Sequence, residues 1–234
     1  MKLALEKVRG GYGRVEVLKG VSLTLGSGEV LALLGRNGAG KTTTLKAITG
    51  LVPVRAGRIW LDDVSLGGRE AHTIVSLGVA YVPQGRRLFP YLSVEENLRM
   101  GLLAGGNRAE ALEGIFEIFP AIRERLRQRA GTLSGGQQQM VAMGRALAVA
   151  PKVLLLDEPF EGLQPSLVEA ILGAIRRMRA AGVAVLLVEQ RVDLALQAAD
   201  RVAFLENGTV AHQSLPAALE QDPAPLFRFV GVRR

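Results

Sequence analysis

Gly35-Arg36-Asn37-Gly38-Ala39-Gly40-Lys41-Thr42-Thr43 decides the fold. Every fixed position fits the phosphate-loop pattern G-x-x-x-x-G-K-[ST]. Upstream runs Val30-Leu31-Ala32-Leu33-Leu34, an apolar stretch of strand length; downstream, Thr43-Thr44-Leu45-Lys46-Ala47-Ile48 continues as a helix. A strand, a glycine-rich turn and a helix in that order are the context in which the pattern has chemical meaning. Glycines let backbone N–H groups turn inward around an anion, and the helix N-terminus adds its partial positive charge. Lys41 is then placed to reach the β- and γ-phosphates of a nucleotide, and the Thr42 hydroxyl to ligate Mg²⁺.

Composition narrows the surroundings of that loop. The 234 residues, 48% hydrophobic and 22% charged, suffice for a globular chain with a real core. There is no cysteine, which excludes disulfides and thiolate metal sites. The two histidines, His72 and His212, lie too far apart in sequence to suggest zinc and are expected in loops. No apolar run reaches the roughly 18 residues of a membrane span, and the N-terminus lacks a signal peptide's apolar segment. The chain is therefore expected in the cytosol. A net charge of +7 favours anionic partners such as ATP, acidic headgroups or nucleic acid. The excess is spread along the chain and aromatics are only 5%, so a nucleic-acid groove with stacking platforms is the weaker reading.

Before the loop, residues 4–8, 15–18 and 21–25 read as short strands separated by glycine-bearing turns. Tyr12 falls in the stretch Arg9-Gly10-Gly11-Tyr12-Gly13, where it either stacks on a base or packs within the turn. After the loop, 58–61 and 79–82 are strand candidates, the second followed by Pro83 and Gln84. From about 86 to 150 the pattern turns helical, which suggests an inserted lobe. Ser93-Val94-Glu95-Glu96 has capping-box spacing and opens a helix to about residue 103. A second helix covers 108–119, ended by Pro120, and a short basic one covers 122–128. Leu133-Ser134-Gly135-Gly136-Gln137 then starts a long helix, 137–149. Its glycine-bearing N-terminus is either a second anion site or simply a well-capped helix.

Val153-Leu154-Leu155-Leu156 is apolar throughout, as in a parallel strand buried on both faces, and ends in Asp157-Glu158-Pro159. Adjacent acids at that end of a buried strand are costly unless they act, and strand carboxyl ends are where open α/β sheets bind ligands. An amphipathic helix spans 165–181, and an all-apolar strand, 183–188, ends at Glu189-Gln190. Residues 202–205 and 209–211 flank Asn207-Gly208 as a hairpin. One weak helix and basic Arg233-Arg234 finish the chain, which shows no repeat or linker.

In this order the motifs resemble the ATP-binding cassette (ABC) family of transporter ATPases, over essentially the whole chain. The resemblance implies an α/β fold: a P-loop NTPase (RecA-like) core, an N-terminal antiparallel β subdomain, and a helical subdomain at about 86–150, all in one domain, 1–234. It implies ATP and Mg²⁺ as cofactors. Tyr12 matches the adenine-stacking aromatic, and Gly35, Arg36, Asn37, Gly38, Ala39, Gly40, Lys41, Thr42 and Thr43 the Walker A loop. Gln84 matches the glutamine loop that senses Mg²⁺ and contacts the membrane partner. Leu133 to Gln137 is the LSGGQ signature, so Ser134, Gly135, Gly136 and Gln137 would serve the nucleotide of a second cassette. Asp157 would stand on the Mg²⁺ shell with Thr42 and Gln84, and Glu158 would be the general base.

Within the family, Val82-Pro83-Gln84-Gly85-Arg86-Arg87-Leu88-Phe89, Val94-Glu95-Glu96-Asn97-Leu98 and Phe229-Val230-Gly231-Val232 resemble ATPases of branched-chain amino-acid importers. Glu161-Gly162-Leu163-Gln164-Pro165-Ser166 and Gln84 lean towards the urea importer, Arg86-Arg87 and Met140-Val141-Ala142-Met143-Gly144-Arg145 lean back, and amino-acid import ranks first. Two positions depart from the family: Gln164 stands where an aspartate usually signals across the dimer, and Gln190 where a histidine usually meets the γ-phosphate. A glutamine amide donates a hydrogen bond but carries no charge and relays no proton. The expected partners are therefore a second ATPase subunit, preferably a histidine-bearing paralogue, two transmembrane permease subunits and, indirectly, a solute-binding protein. The expected location is the inner face of the cell membrane. Soluble cassettes of DNA repair or the ribosome are the rival class. No heptad stretch and no second cassette is present to favour them.

Overall fold

The computed structural model describes residues 2–103 and 108–231, with side chains left out at 108–110. The chain opens with an antiparallel hairpin, β1 (Lys2–Tyr12) and β2 (Val15–Gly26). The first expected turn shrinks to Gly13-Arg14, because β1 runs on to Tyr12, and the expected break at 19–20 is absent, because β2 runs through it. Gly20, at φ 126°, is an extra residue between the pairs Val8–Val21 and Arg9–Lys19. A glycine accepts that angle, so the ladder continues past a bulge that local sequence reads as a turn. Tyr12 is thus the last residue of a strand.

β3 (Val30–Leu34) leads through the phosphate loop into α1 (Lys41–Ile48). β4 (Val54–Leu61), longer than expected, and β5 (Val64–Ser65) join the first sheet in the order β2-β1-β4-β5. After α2 (Ala71–Ser76) and β6 (Val79–Val82) come α3 (Val94–Leu102), α4 (Arg108–Ile118), α5 (Pro120–Arg123) and α6 (Gly135–Leu147). Ser93 caps α3 reciprocally with Glu96, whose carboxylate accepts the Ser93 N–H at 2.7 Å. The basic helix expected at 122–128 is instead the four-residue α5, begun by Pro120, which suits a first helical position because it lacks an N–H to satisfy.

The chain continues through β7 (Val153–Asp157), α7 (Pro165–Ala180), β8 (Ala184–Val188), α8 (Val192–Ala198), β9 (Arg201–Glu206) and β10 (Thr209–Ser214). It closes with α9 (Pro216–Gln221) and α10 (Ala224–Phe229), where one weak helix was expected. Val232 and Arg233-Arg234 lie outside the described residues. Neither histidine sits in a loop: His72 is on α2, and His212 is on β10 with its ring stacked on Phe204 and Phe229.

The second sheet runs β10-β9-β3-β8-β7-β6, parallel except at β10. β3, β7 and β8 are buried at every position. Successive side chains serve opposite faces. Leu31, Leu33, Leu155 and Leu186 pack on α1 and on the inner face of the first sheet through Leu5, Leu23 and Ile59. Leu154, Leu156, Val185 and Leu187 pack on α6 and α7 through Met140, Met143, Ile171 and Leu172. Each such side chain contributes about 1.5–3 kcal/mol by leaving water. The three strands pair parallel, and the carboxyl ends of β3, β7 and β8 therefore meet along one edge. That edge carries the phosphate loop, Asp157-Glu158 and Glu189-Gln190.

Candidate active site

Gly35 sets the first turn of the loop. Its φ is 150°, and a Cβ there would come within 2.3 Å of the Leu205 carbonyl oxygen on β9. The Ala39 N–H closes the loop on the Arg36 carbonyl at 3.1 Å. Gly40 starts α1 without a side-chain cap, leaving the first N–H groups of the helix without side-chain acceptors. Lys41 folds back over this concavity and donates from Nζ to the carbonyls of Gly35 at 2.7 Å and Arg36 at 3.2 Å. It is only 6% exposed. Burial lowers its pKa, while the carboxylates of Glu158, Asp157 and Glu189 push the other way.

β7 delivers Asp157 to the same place. Thr42 Oγ1 donates to its Oδ1 at 3.0 Å and the Tyr81 hydroxyl, from β6, to its Oδ2 at 3.0 Å. Asp157 is buried, and burial, joined by the Glu158 charge, raises its pKa against the pull of the Tyr81 and Thr42 bonds. A raised carboxyl pKa means that folding favours the protonated form. Stability is therefore lost as pH rises from the unfolded value through the raised folded one, and the deficit persists at neutral pH. Asp157→Asn keeps an oxygen for Thr42 or Tyr81 and removes the charge. It is expected to raise the melting temperature by ~2–4 °C, the shift of about 1 kcal/mol in a chain of this size, while abolishing hydrolysis. A thermal melt at pH 7 with a parallel ATPase assay checks both, and a lower melting temperature would refute the assignment.

Glu158 turns sharply out of β7 at φ 51°, a conformation that costs a side-chain-bearing residue about 1–2 kcal/mol. Its N–H donates to the Val188 carbonyl of β8 at 2.8 Å, tying the two strand ends together. Its carboxylate takes two amide donors, Gln84 Nε2 at 2.9 Å and Gln190 Nε2 at 2.6 Å. Together with Val17, Asn37, Gly38, Gly40, Lys41, Thr42 and Thr43, these three line a cleft of about 480 Å³. A carboxylate held between two amides, facing a cradle of N–H groups and a buried ammonium, can take a proton from water beside a bound anion.

The remaining expected residues fall in separate places. Tyr12 is 45% exposed at the end of β1, with Lys46 Nζ 5.8 Å from its ring centroid. Ser134 caps α6 reciprocally with Gln137, whose Oε1 accepts the Ser134 N–H at 3.0 Å. Neither that motif nor Gly135 and Gly136 lines the cleft. Gln164 precedes α7 as its N-cap residue.

Several residues escaped the sequence reading. Tyr81 holds Asp157, and Glu161 Oε2 accepts from Gln84 Nε2 at 3.2 Å. Glu189, only 3% exposed, accepts the N–H groups of Gln190 and Arg191 on one oxygen, Oε1. Burial raises its pKa, with the Glu158 charge adding to the rise, and the N–H groups of Arg191, Gln190 and Phe160 oppose it. Its signal was available, since Glu189 ends an apolar strand just as Asp157 does.

Residues 18–161 match the ABC transporter family. The chain is 42% identical to the high-affinity branched-chain amino acid transport ATP-binding protein BraG of Pseudomonas aeruginosa, over 98% of this chain and 99% of that one. It is 36% identical to the probable branched-chain amino acid transport ATP-binding protein LivF of Archaeoglobus fulgidus, over 88% of each. Its backbone matches an ATP-binding cassette of an ABC transporter solved in its ADP conformation, with a TM-score of 0.85 and 26% identity, covering 99% of this chain and 100% of that one.

Proposed function

The chain belongs to the ABC transporter family, and from that premise we propose that it is the ATP-hydrolysing subunit of an importer for branched-chain amino acids. The observation that carries hydrolysis is the Glu158 carboxylate, bonded to Gln84 and Gln190 above the phosphate loop. In this reading the N–H groups of the loop and Lys41 hold the phosphates, and Tyr12 stacks on the adenine. Glu158 takes the proton of the attacking water, and Gln190 orients Glu158 and the terminal phosphate. The phosphoryl charge is stabilised by fixed donors.

Among the described residues no three His, Asp or Glu side chains gather as a metal cage. The Thr42 hydroxyl and Asp157 carboxylate, 3.0 Å apart, offer an all-oxygen pair that suits Mg²⁺ completed by phosphate oxygens and the Gln84 amide oxygen. When bound, the ion would neutralise phosphate charge.

Ser134, Gly135, Gly136 and Gln137 stand outside the cleft, which fits a role at the nucleotide of a second cassette. Gln190 favours a histidine-bearing paralogue as that second subunit. The whole chain would act as one ATPase domain, with the helices from about 86 to 150 as its arm. Beside that arm, Arg87, Phe89, Met100 and Arg145 line a groove, and Phe89 and Met100 are exposed in this chain. Such a rim suits a helix of a transmembrane permease subunit. Among the described residues no helix is long and apolar enough to cross a membrane. Attachment to the inner membrane face would therefore run through permease subunits, with a solute-binding protein engaged indirectly.

Reconstitution with the permease subunits in vesicles tests the proposal. Uptake of labelled leucine driven by internal ATP is expected, and uptake of urea alone would move the chain to the urea systems. Arg87→Glu, on the groove, is expected to cut uptake at least tenfold while basal ATPase of the isolated chain stays within twofold. Full uptake by that variant would place the docking surface elsewhere.

A further inference from the structure

We propose that Glu189 is a positioning residue for hydrolysis, fixing the Gln190 backbone so that its side-chain amide meets the Glu158 carboxylate. The inference rests on the proposed roles of Glu158 and Gln190. Its observations are geometric. Glu189 follows β8 directly and turns its side chain back into the protein, where Oε1 accepts the Gln190 N–H at 2.7 Å and the Arg191 N–H at 2.9 Å. Its other oxygen, Oε2, is buried with no hydrogen-bond partner among the described residues. The Phe160 N–H also faces this carboxylate and favours its charge, but its close hydrogen bonds all go to one oxygen, and a buried carboxylate so used is a poor stabiliser of a fold. It is a good rivet for a loop.

The rivet closes a small circuit between two strand ends. The Val188 carbonyl holds the Glu158 N–H at 2.8 Å. Glu189 holds the backbone of Gln190, and Gln190 Nε2 returns to Glu158 Oε1 at 2.6 Å. A glutamine has three side-chain torsions and no charge to draw it to a phosphate, so its orientation must come from its backbone. Without the Glu189 bond the Gln190 N–H is released and the amide can swing away from the base. A misplacement of about 1 Å at a reacting group is worth roughly 10²-fold in rate.

Two substitutions separate positioning from charge and from bulk stability. Glu189→Ala removes the acceptor; Glu189→Gln keeps an amide oxygen where Oε1 stands. Steady-state ATPase on the purified full chain is expected to show kcat reduced roughly 10- to 100-fold in Glu189→Ala, with KM for ATP within twofold. Glu189→Gln is expected to stay within about threefold of wild type in both constants. Hydrogen exchange by mass spectrometry should show faster exchange over residues 189–192 in Glu189→Ala, and wild-type protection in Glu189→Gln.

Wild-type kcat in Glu189→Ala would overturn the inference, as would loss of kcat in Glu189→Gln with protection intact, which would make the charge the active property. A common fall of kcat and melting temperature in both variants would reduce Glu189 to a structural residue. A wild-type chain that fails to bind nucleotide at all would remove the reading of the site, and this role with it.

Discussion

Lys41→Ala is expected to weaken ATP binding by 10²-fold or more. Lys41 is only 6% exposed, and its ammonium holds two backbone carbonyls, Gly35 and Arg36, whose strand and turn make the cradle. In the proposed reading, nucleotide entry exchanges those bonds for charge-assisted ones to phosphate. Removing one partner of a buried charge pair costs about 3–5 kcal/mol, or roughly 10²- to 4 × 10³-fold in affinity. Titration with a fluorescent nucleotide reads the affinity directly. A thermal melt gives a second reading, because millimolar ATP should stabilise the wild type and leave the variant unmoved. Unchanged affinity would show the loop to be a bare turn.

The same lysine sets a pH dependence. Burial disfavours its charged form, so its pKa lies below that of a free lysine. Only the charged form neutralises phosphate. Affinity is therefore expected to fall as pH rises through that depressed value, earlier than a solvent-exposed lysine would allow.

Glu158→Gln is expected to retain ATP and lose turnover by about 10²- to 10⁴-fold, the usual worth of a general base. The substituted amide still offers one oxygen to Gln84 or Gln190, so the cleft keeps its shape. Binding should be equal or tighter, since a negative charge leaves the neighbourhood of the phosphates. With ATP and Mg²⁺ the variant should elute as a dimer in size-exclusion chromatography. Glu161→Gln is the control: Glu161 also accepts from Gln84, at 3.2 Å, but takes nothing from Gln190. It should stay within a few-fold of wild type. Normal hydrolysis by Glu158→Gln would strip the residue of its role.

What the sequence disclosed follows the range of the interactions concerned. The phosphate loop and the caps at Ser93 and Ser134 are made by residues within a few positions of one another, and each formed as its spacing implied. The apolar runs at 30–34 and 153–156 announced strands, because burial on both faces leaves no place for a polar side chain along them. Failures came where a distant partner decides. Gly20 looked like a turn, yet β1 imposes a bulge there. His212 looked like a loop residue, yet Phe204 and Phe229, brought by β9 and α10, make a place for its ring. Glu189 was passed over because its neighbour Gln190 carried the family comparison. Only the return of its side chain into the core reveals a task.

The position of β3 in its sheet bears on how the protein is made. Its neighbours are β8 and β9, so Val30 pairs with Val185 and Leu31 with Arg201. On a ribosome the strand emerges with both edges open and waits on the order of ten seconds or more for either partner, at ordinary rates of synthesis. Five consecutive apolar residues without a pairing partner are what chaperones cover. The turn at Gly35 waits as well, because it rests against Leu205, which is translated late. The phosphate loop thus takes its folded shape only once most of the chain has been made.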